Sequence, residues 1–247
     1  MISSARLVQL AFAIIAGGFW YLVTETGAVS PLFLPAPNDV AAALIGLIGT
    51  DEFWSAIRVT LTTIAGAYAL AVIAGVLTGY ALTRSRLLTR AFEPVVSGAF
   101  AIPITLFFPL FILFFGIGPQ SKLAYGAVYG FFPVAINTIA GFANVERRLV
   151  DAARSMGIGR AGILRHVLFP AAFPVILTGL RIGFFICFAS VLGGEAISSA
   201  SGIGHNIALT AELFEPAQMY AWIVCVAIAA LALNGAVSAI DRRFRET

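Results

Sequence analysis

An all-α integral membrane protein with about six transmembrane helices is the fold class this sequence predicts, and three observations carry that prediction. Of the 247 residues, 60% are hydrophobic and 11% are charged, whereas a soluble globular domain carries about 25% charged residues. Six stretches reach or approach the roughly 20 apolar residues that a helix needs to cross a bilayer. The basic residues gather in alternate connecting segments, as the positive-inside bias requires, which places both termini in the cytoplasm.

The first stretch, residues 7–23, is short and follows Arg6. A signal peptide shares that pattern, but Phe19, Trp20 and Tyr21 at its end suit an interfacial aromatic belt better. In the next segment Pro31, Pro35 and Pro37 force extended backbone. Asn38 is a good N-cap and Asp39 suits the first turn. Ala41, Leu44, Ile45 and Ile48 then recur at helical spacing, so residues 39–48 read as a short helix on the outer interface.

The remaining spans are 59–82, 94–115, 123–143, 171–192 and 219–240. Small residues four apart, Gly75 with Gly79 and Gly126 with Gly130, let helix backbones approach closely in lipid. Pro103 and Pro109 break the third span, and Pro133 interrupts the fourth. Broken helices in lipid often line pathways, though simple kinks fit as well. Phe107 and Phe108, beside that break, either line an apolar path or face lipid.

Fourteen of the 15 basic residues are Arg, and the exception is Lys122. Twelve fall in inside segments: Arg6; Arg84, Arg86 and Arg90; Arg147, Arg148, Arg154, Arg160 and Arg165; Arg242, Arg243 and Arg245. Lys122 falls outside, with Arg58 at the membrane edge, and Glu25, Asp39, Asp51, Glu52, Glu195, Glu212 and Glu215 lean the same way. The net charge of +3 therefore marks topology and excludes a nucleic-acid partner. Cys187 and Cys225 sit in apolar runs as small filler, with no metal spacing.

Arg181 is the only charge inside a predicted span, and intramembrane charges are functional by default. It either meets an anionic solute or pairs with helix carbonyls or a lipid phosphate. Glu195 follows the fifth span, in an outside segment, 193–218, rich in Gly and Ser. That segment is either a gate or an ordinary loop, and His205 within it reads as a loop residue. A secondary transporter usually places an Asp, Glu or His within the membrane, and none is expected there. A channel needs no coupling loop, and no nucleophile with a base or metal lies at membrane depth to support an enzyme.

Residues 144–169 differ from everything around them, with five Arg, His166, Glu146 and Asp151. Val150, Ala153 and Met156 share a helical stripe, and Ile163, Leu164, Val167 and Leu168 form another apolar face. Gly157-Ile158-Gly159 permits a left-handed turn between two short helices, and Pro170 is expected to close the second. The small residues Ala152, Ala153 and Gly157 would let a partner's groove come close. A solvated hairpin is the alternative.

Asp151-Ala152-Ala153, Gly157 four residues on, and Phe169-Pro170 resemble the EAA loop of ABC importer permeases. That family's pattern is Glu-Ala-Ala, three residues, Gly, about nine residues, Ile, one residue, Leu-Pro. The sequence departs from it in Asp151 for Glu and Phe169 for Leu, while Val167 takes the Ile place. Phe33-Leu34-Pro35-Ala36-Pro37, Phe115-Gly116-Ile117-Gly118, Ile176 through Gly183 and Gly194-Glu195 look like the subgroup importing sulfonates, taurine and nitrate. Related members handle thiamine precursors and aromatic acids.

The resemblance implies a type I ABC importer transmembrane domain over residues 54–241, preceded by a helix pair in 1–53 and followed by a cytoplasmic tail, 242–247. Asp151, Ala152, Ala153, Met156, Gly157, Arg160 and Pro170 would couple to an ATPase, and Arg181, Glu195, Pro103, Phe107 and Phe108 would belong to the path or gate. It further implies a homodimer in a bacterial inner membrane, two ATP-binding subunits that use ATP and Mg, and an extracytoplasmic solute-binding protein. The chain has no GxxxxGK[ST] loop, and no cofactor is expected on it.

Overall fold

The computed structural model describes the backbone of residues 4–245 and side chains of residues 7–9 and 11–235. The side chains of Arg6, Arg242, Arg243 and Arg245, and the last two residues of the expected tail, lie outside those described. The regular structure of the described residues is all helical, in the order α1 (Ser4–Glu25), α2 (Pro37–Ile48), α3 (Asp51–Thr83), α4 (Arg86–Phe100), a 3₁₀ turn (Ile104–Phe107), α5 (Phe108–Phe115) and α6 (Pro119–Ala143). There follow α7 (Arg147–Ser155), α8 (Arg160–Ile163), a π turn (Leu164–Leu168), α9 (Phe169–Ile197), α10 (Ile203–Glu212) and α11 (Pro216–Arg245). Among them, 5 helices are long and apolar enough to cross a membrane, and the bent pair α4–α5 makes a sixth.

Three of these helices, α3, α6 and α9, form the core. Ile64, Ala67 and Ala71 of α3 pack on Cys187 and Val191 of α9. Glycine sets the spacing, because lipid offers no hydrophobic drive between helices and close van der Waals contact must replace it. A Cβ on Gly75 would stand 2.7 Å from Val134 Cγ1, and one on Gly79 would stand 2.6 Å from Thr138 Cβ. On the other side of α6, a Cβ on Gly183 would lie 3.1 Å from the Gly130 carbonyl. Outside the core the apolar side chains face outward: Phe12, Leu113, Phe114 and Leu231 are each more than 70% exposed, as lipid-facing residues must be.

The N-terminal part clips onto the outer end. Trp20 Nε1 donates to the Pro35 carbonyl at 3.0 Å, and the Tyr220 hydroxyl donates to the Phe33 carbonyl at 3.1 Å. Helix α2 begins at Pro37 with Ala36 as its N-cap, two residues before the start expected from Asn38. Proline serves there because the first helical N–H has no partner in any case. Helix α3 starts on Thr50, whose hydroxyl accepts from Phe53 N at 3.2 Å, with Asp51 and Glu52 against the positive helix end. At 33 residues it is about 50 Å long, so it projects beyond a hydrocarbon core of about 30 Å.

Two expectations need correction, and one holds in part. Pro170 does not close a helix: backbone angles stay helical from Leu164 through Phe169, and the helix runs from Arg160 to Ile197. Pro170 has no N–H to give the His166 carbonyl, and the π turn just before it absorbs that mismatch. The third span is broken at Pro103 as expected, into two helices bent by 75°, whereas Pro109 sits in the first turn of α5 and does not break it. Arg181 is not the only charge within the spanning helices, because Lys122 lies in α6 and Glu195 in α9, 0% and 2% exposed.

Candidate functional site

The cytoplasmic loop is built by one turn. Helix α7 ends at Ser155; Gly157 then takes φ +77°. Gly157 N donates to Arg154 O at 2.9 Å and Ile158 N to Ala153 O at 3.1 Å. This pair of bonds is a Schellman motif, which satisfies the last carbonyls of a helix and requires a left-handed residue after its cap. The Ile158 side chain folds back over Gly162, and Ala153 and Ile163 are buried beneath the turn.

What remains outward is Asp151, Ala152, Met156, Gly157 and Arg160. Met156 is 78% exposed, an apolar side chain held at the tip of a polar loop. Asp151 lies 3.6 Å from Arg154 across one exposed turn, a pair that contributes little in water. By size alone Ala153 belongs with this outer face. It points inward instead, one position round the helix from Ala152. Through the π turn α8 joins α9 directly, so the second part of the loop and the span form one continuous rod, Arg160–Ile197.

On α9, Arg181 is half-buried and donates to Asn234 Oδ1 of α11 at 2.8 Å. Asn234 is neutral, so Arg181 keeps its whole positive charge. Phe107 is 45% exposed beside the break in the third span. Phe108 is 1% exposed, packed against Tyr125 at 5.0 Å and on Gly194. It is core, and no surface of it is left to line a path. Pro103 stands at the bend as the N-cap of the 3₁₀ turn.

At the far end of α9, Glu195 sits in the last helical turn, not in a loop. Thr60 Oγ1 of α3 lies 2.9 Å from each of its carboxylate oxygens, and Gly204 N donates to Oε2 at 3.0 Å. Thr60 Oγ1 also accepts from Ile203 N at 2.9 Å. One carboxylate and one hydroxyl thus hold the start of α10 to α3 and α9. Gly202, at φ +110°, and Gly204 leave the room that Glu195 fills. Lys122 Nζ donates to the Ile117 and Gly118 carbonyls.

Sequence reasoning had Glu195 as a candidate gate residue but missed Thr60 and Lys122. The usable signal was the polar pair Thr60 and Thr63 inside an apolar span, with glycines on both sides of Glu195. His205 is only part-buried and makes no part of this network. Among the described residues no group of His, Cys, Asp and Glu is placed to hold a metal ion.

The family model described as "Binding-protein-dependent transport system inner membrane component" matches residues 67–246. The chain is 32% identical over 229 residues to the taurine transport system permease protein TauC of Escherichia coli (strain K12), covering 91% of this chain and 83% of that one. It is 30% identical over 227 residues to the putative aliphatic sulfonates transport permease protein SsuC of the same strain, covering 92% and 84%. It is also 30% identical over 224 residues to the riboflavin transport system permease protein RibX of Chloroflexus aurantiacus, covering 91% and 84%. Among solved structures, the inward-facing MetNI methionine ABC transporter aligns with a TM-score of 0.66 at 20% identity, over 77% of this chain and 96% of that one.

Proposed function

As a member of the family of binding-protein-dependent transport system inner membrane components, this chain is the multi-pass permease subunit of an ATP-binding-cassette importer, and we propose that its solute is a small organic anion of the sulfonate class. Its fold is that of a type I importer transmembrane domain, and ATP hydrolysis belongs to a partner. The family assigns it an ATP-binding partner and a binding-protein partner. Two copies of the chain with two ATP-binding subunits are the assembly we favour.

The buried Glu195 removes one argument against a secondary transporter, namely that no acid lies within the spans. Family membership carries the class instead. The observation that carries the solute class is Arg181. Its guanidinium sits at membrane depth with a neutral amide as its hydrogen-bond partner, so its charge is available to an anion. The taurine and aliphatic sulfonate permeases among the relatives point the same way.

The exposed face of Asp151, Ala152, Met156, Gly157 and Arg160 is the docking surface for the ATPase in this reading. Ala153 supports it from beneath, and Pro170 marks where the loop becomes the span. ATP binding favours one of two arrangements of the spans. The rod from α8 through α9 carries that bias past Arg181, about 16 Å from Pro170, to the Glu195 junction with α10.

The test is taurine uptake by the complex reconstituted with its ATP-binding and solute-binding partners. Arg181→Ala is expected to lower uptake at least about tenfold, the equivalent of roughly 1.4 kcal/mol, with unchanged assembly and basal ATP hydrolysis. Arg181→Lys is expected to retain most of it. Equal uptake in wild type and Arg181→Ala would remove Arg181 and the anion argument together.

A further inference from the structure

A second basic site lies at the cytoplasmic end, away from the loop tip and from Arg181. The ends of α3 and α6 and the starts of α4 and α7 form an open cleft of about 450 Å³, lined by Arg86, Arg90 and Arg147 together with Thr83, Thr89 and Phe142. Both threonine hydroxyls are already committed, Thr83 to the Tyr80 carbonyl at 2.8 Å and Thr89 to the Leu82 carbonyl at 3.0 Å. The free donors of the cleft are therefore the guanidinium groups.

Those charges are not neutralised by any described residue. Among the described residues, Glu146 pairs with Arg148 at 3.0 Å and Asp151 with Arg154, and no acid pairs with Arg86, Arg90 or Arg147. Glu93, further along the polar side of α4, makes no ion pair with them either. The flank of the cleft is apolar. Helix α4 buries none of its residues, and Leu88, Phe92 and Val95 on its opposite side are 39%, 46% and 60% exposed. An amphipathic helix with one face toward acyl chains and arginines on the other sits naturally at a headgroup boundary.

The geometry points to this cleft as a binding site for a tetrahedral oxyanion, with the phosphate of an anionic phospholipid of the inner leaflet as the occupant its setting favours. Guanidinium groups match phosphate oxygens with paired N–H donors, and basic pockets between spanning helices on the cytoplasmic side suit such headgroups. The site does not depend on what solute is carried, so the solute reading can fail while this one stands.

The experiment uses the full-length chain purified with its ATP-binding partner and stripped of lipid. Three probes are added separately: phosphatidylglycerol, phosphatidylcholine and inorganic phosphate. Thermal unfolding is followed for wild type, Arg86→Gln/Arg90→Gln/Arg147→Gln and the matching triple Lys variant. Phosphatidylglycerol is expected to raise the wild-type midpoint more than phosphatidylcholine does, with an apparent affinity at least about tenfold weaker in the Gln variant and partly kept with Lys. The exposed positions make a folding defect visible as a shift without any probe. A wild-type shift with inorganic phosphate alone, lost in the Gln variant, keeps the oxyanion site and assigns it to a free ion. Equal responses of wild type and the Gln variant to every probe, or no response, overturn it.

Discussion

Replacing Glu195 with Ala tests the outer junction most directly. The wild-type carboxylate accepts from Gly204 N at 3.0 Å and from Thr60 Oγ1 at 2.9 Å. Alanine leaves the Gly204 N–H buried without an acceptor, which costs about 1–3 kcal/mol. It also opens a cavity between Gly202 and Gly204, each of which stands against the Glu195 side chain, adding a term of similar sign. Thr60 keeps its bond from Ile203 N and its hydroxyl can turn to a carbonyl of its own helix, so its loss is small. The sum is about 3 kcal/mol, or roughly 100-fold in the local opening equilibrium of α10. Hydrogen exchange over residues 198–212 reads that directly, and the amides of Ile203 and Gly204 should show the largest change. Glu195→Gln keeps one carbonyl oxygen for Gly204 N and should lose far less, on the order of 1 kcal/mol. If the Ala variant exchanges within about threefold of wild type across this segment, the carboxylate does not hold α10 and the gate assignment goes with it.

Substitutions at two glycines probe the core and the loop. A Cβ at Gly130 meets Cys187 Sγ, with the Gly183 carbonyl 3.1 Å away, so Gly130→Ala should destabilise the α6–α9 contact by about 1–3 kcal/mol. Pairing it with Cys187→Ala removes the sulfur and should recover part of the loss in thermal unfolding; an additive loss would show the clash lies elsewhere. At Gly157, at φ +77°, an added Cβ finds nothing within 4 Å, so Gly157→Ala should cost only backbone strain, roughly 1–2 kcal/mol. Gly157→Asn should cost less. Solute-stimulated ATP hydrolysis is expected to fall from wild type to Gly157→Asn to Gly157→Ala, and equal rates in all three would separate the turn from coupling.

What could be read in the sequence depended on which residues obey composition rules. The spans were legible because long apolar runs have few other solutions, and the turn at Gly157 because a left-handed cap favours glycine. Lys122 and Glu195 were assigned to outer connections because charged residues usually end a span. Here each charge lies inside a helix, where backbone groups and Thr60 satisfy it. That satisfaction is tertiary: Glu195 meets Thr60 across 135 positions of chain, and no local pattern encodes the meeting. Pro170 misled for a related reason. Its missing N–H was expected to stop a helix, but one widened turn upstream suffices to carry the rod through. For Ala152 and Ala153, size alone could not say which faces out; the one-residue rotation about the α7 axis decided it.

The two ends of α9 are built differently, and the difference bears on how a permease moves. At the outer end, Glu195, Thr60 and the backbone of Ile203 and Gly204 interlock with buried bonds. At the inner end the loop presents exposed Met156 and weak surface pairs, so little in the chain itself resists its displacement. Between them the helix packs through glycine contacts at Gly179 and Gly183 against α6, which favour discrete positions over gradual deformation. In the proposed reading, a push at the loop is passed along the rod to a junction that holds until its hydrogen bonds exchange together, which is the behaviour that alternating access asks of an outer gate.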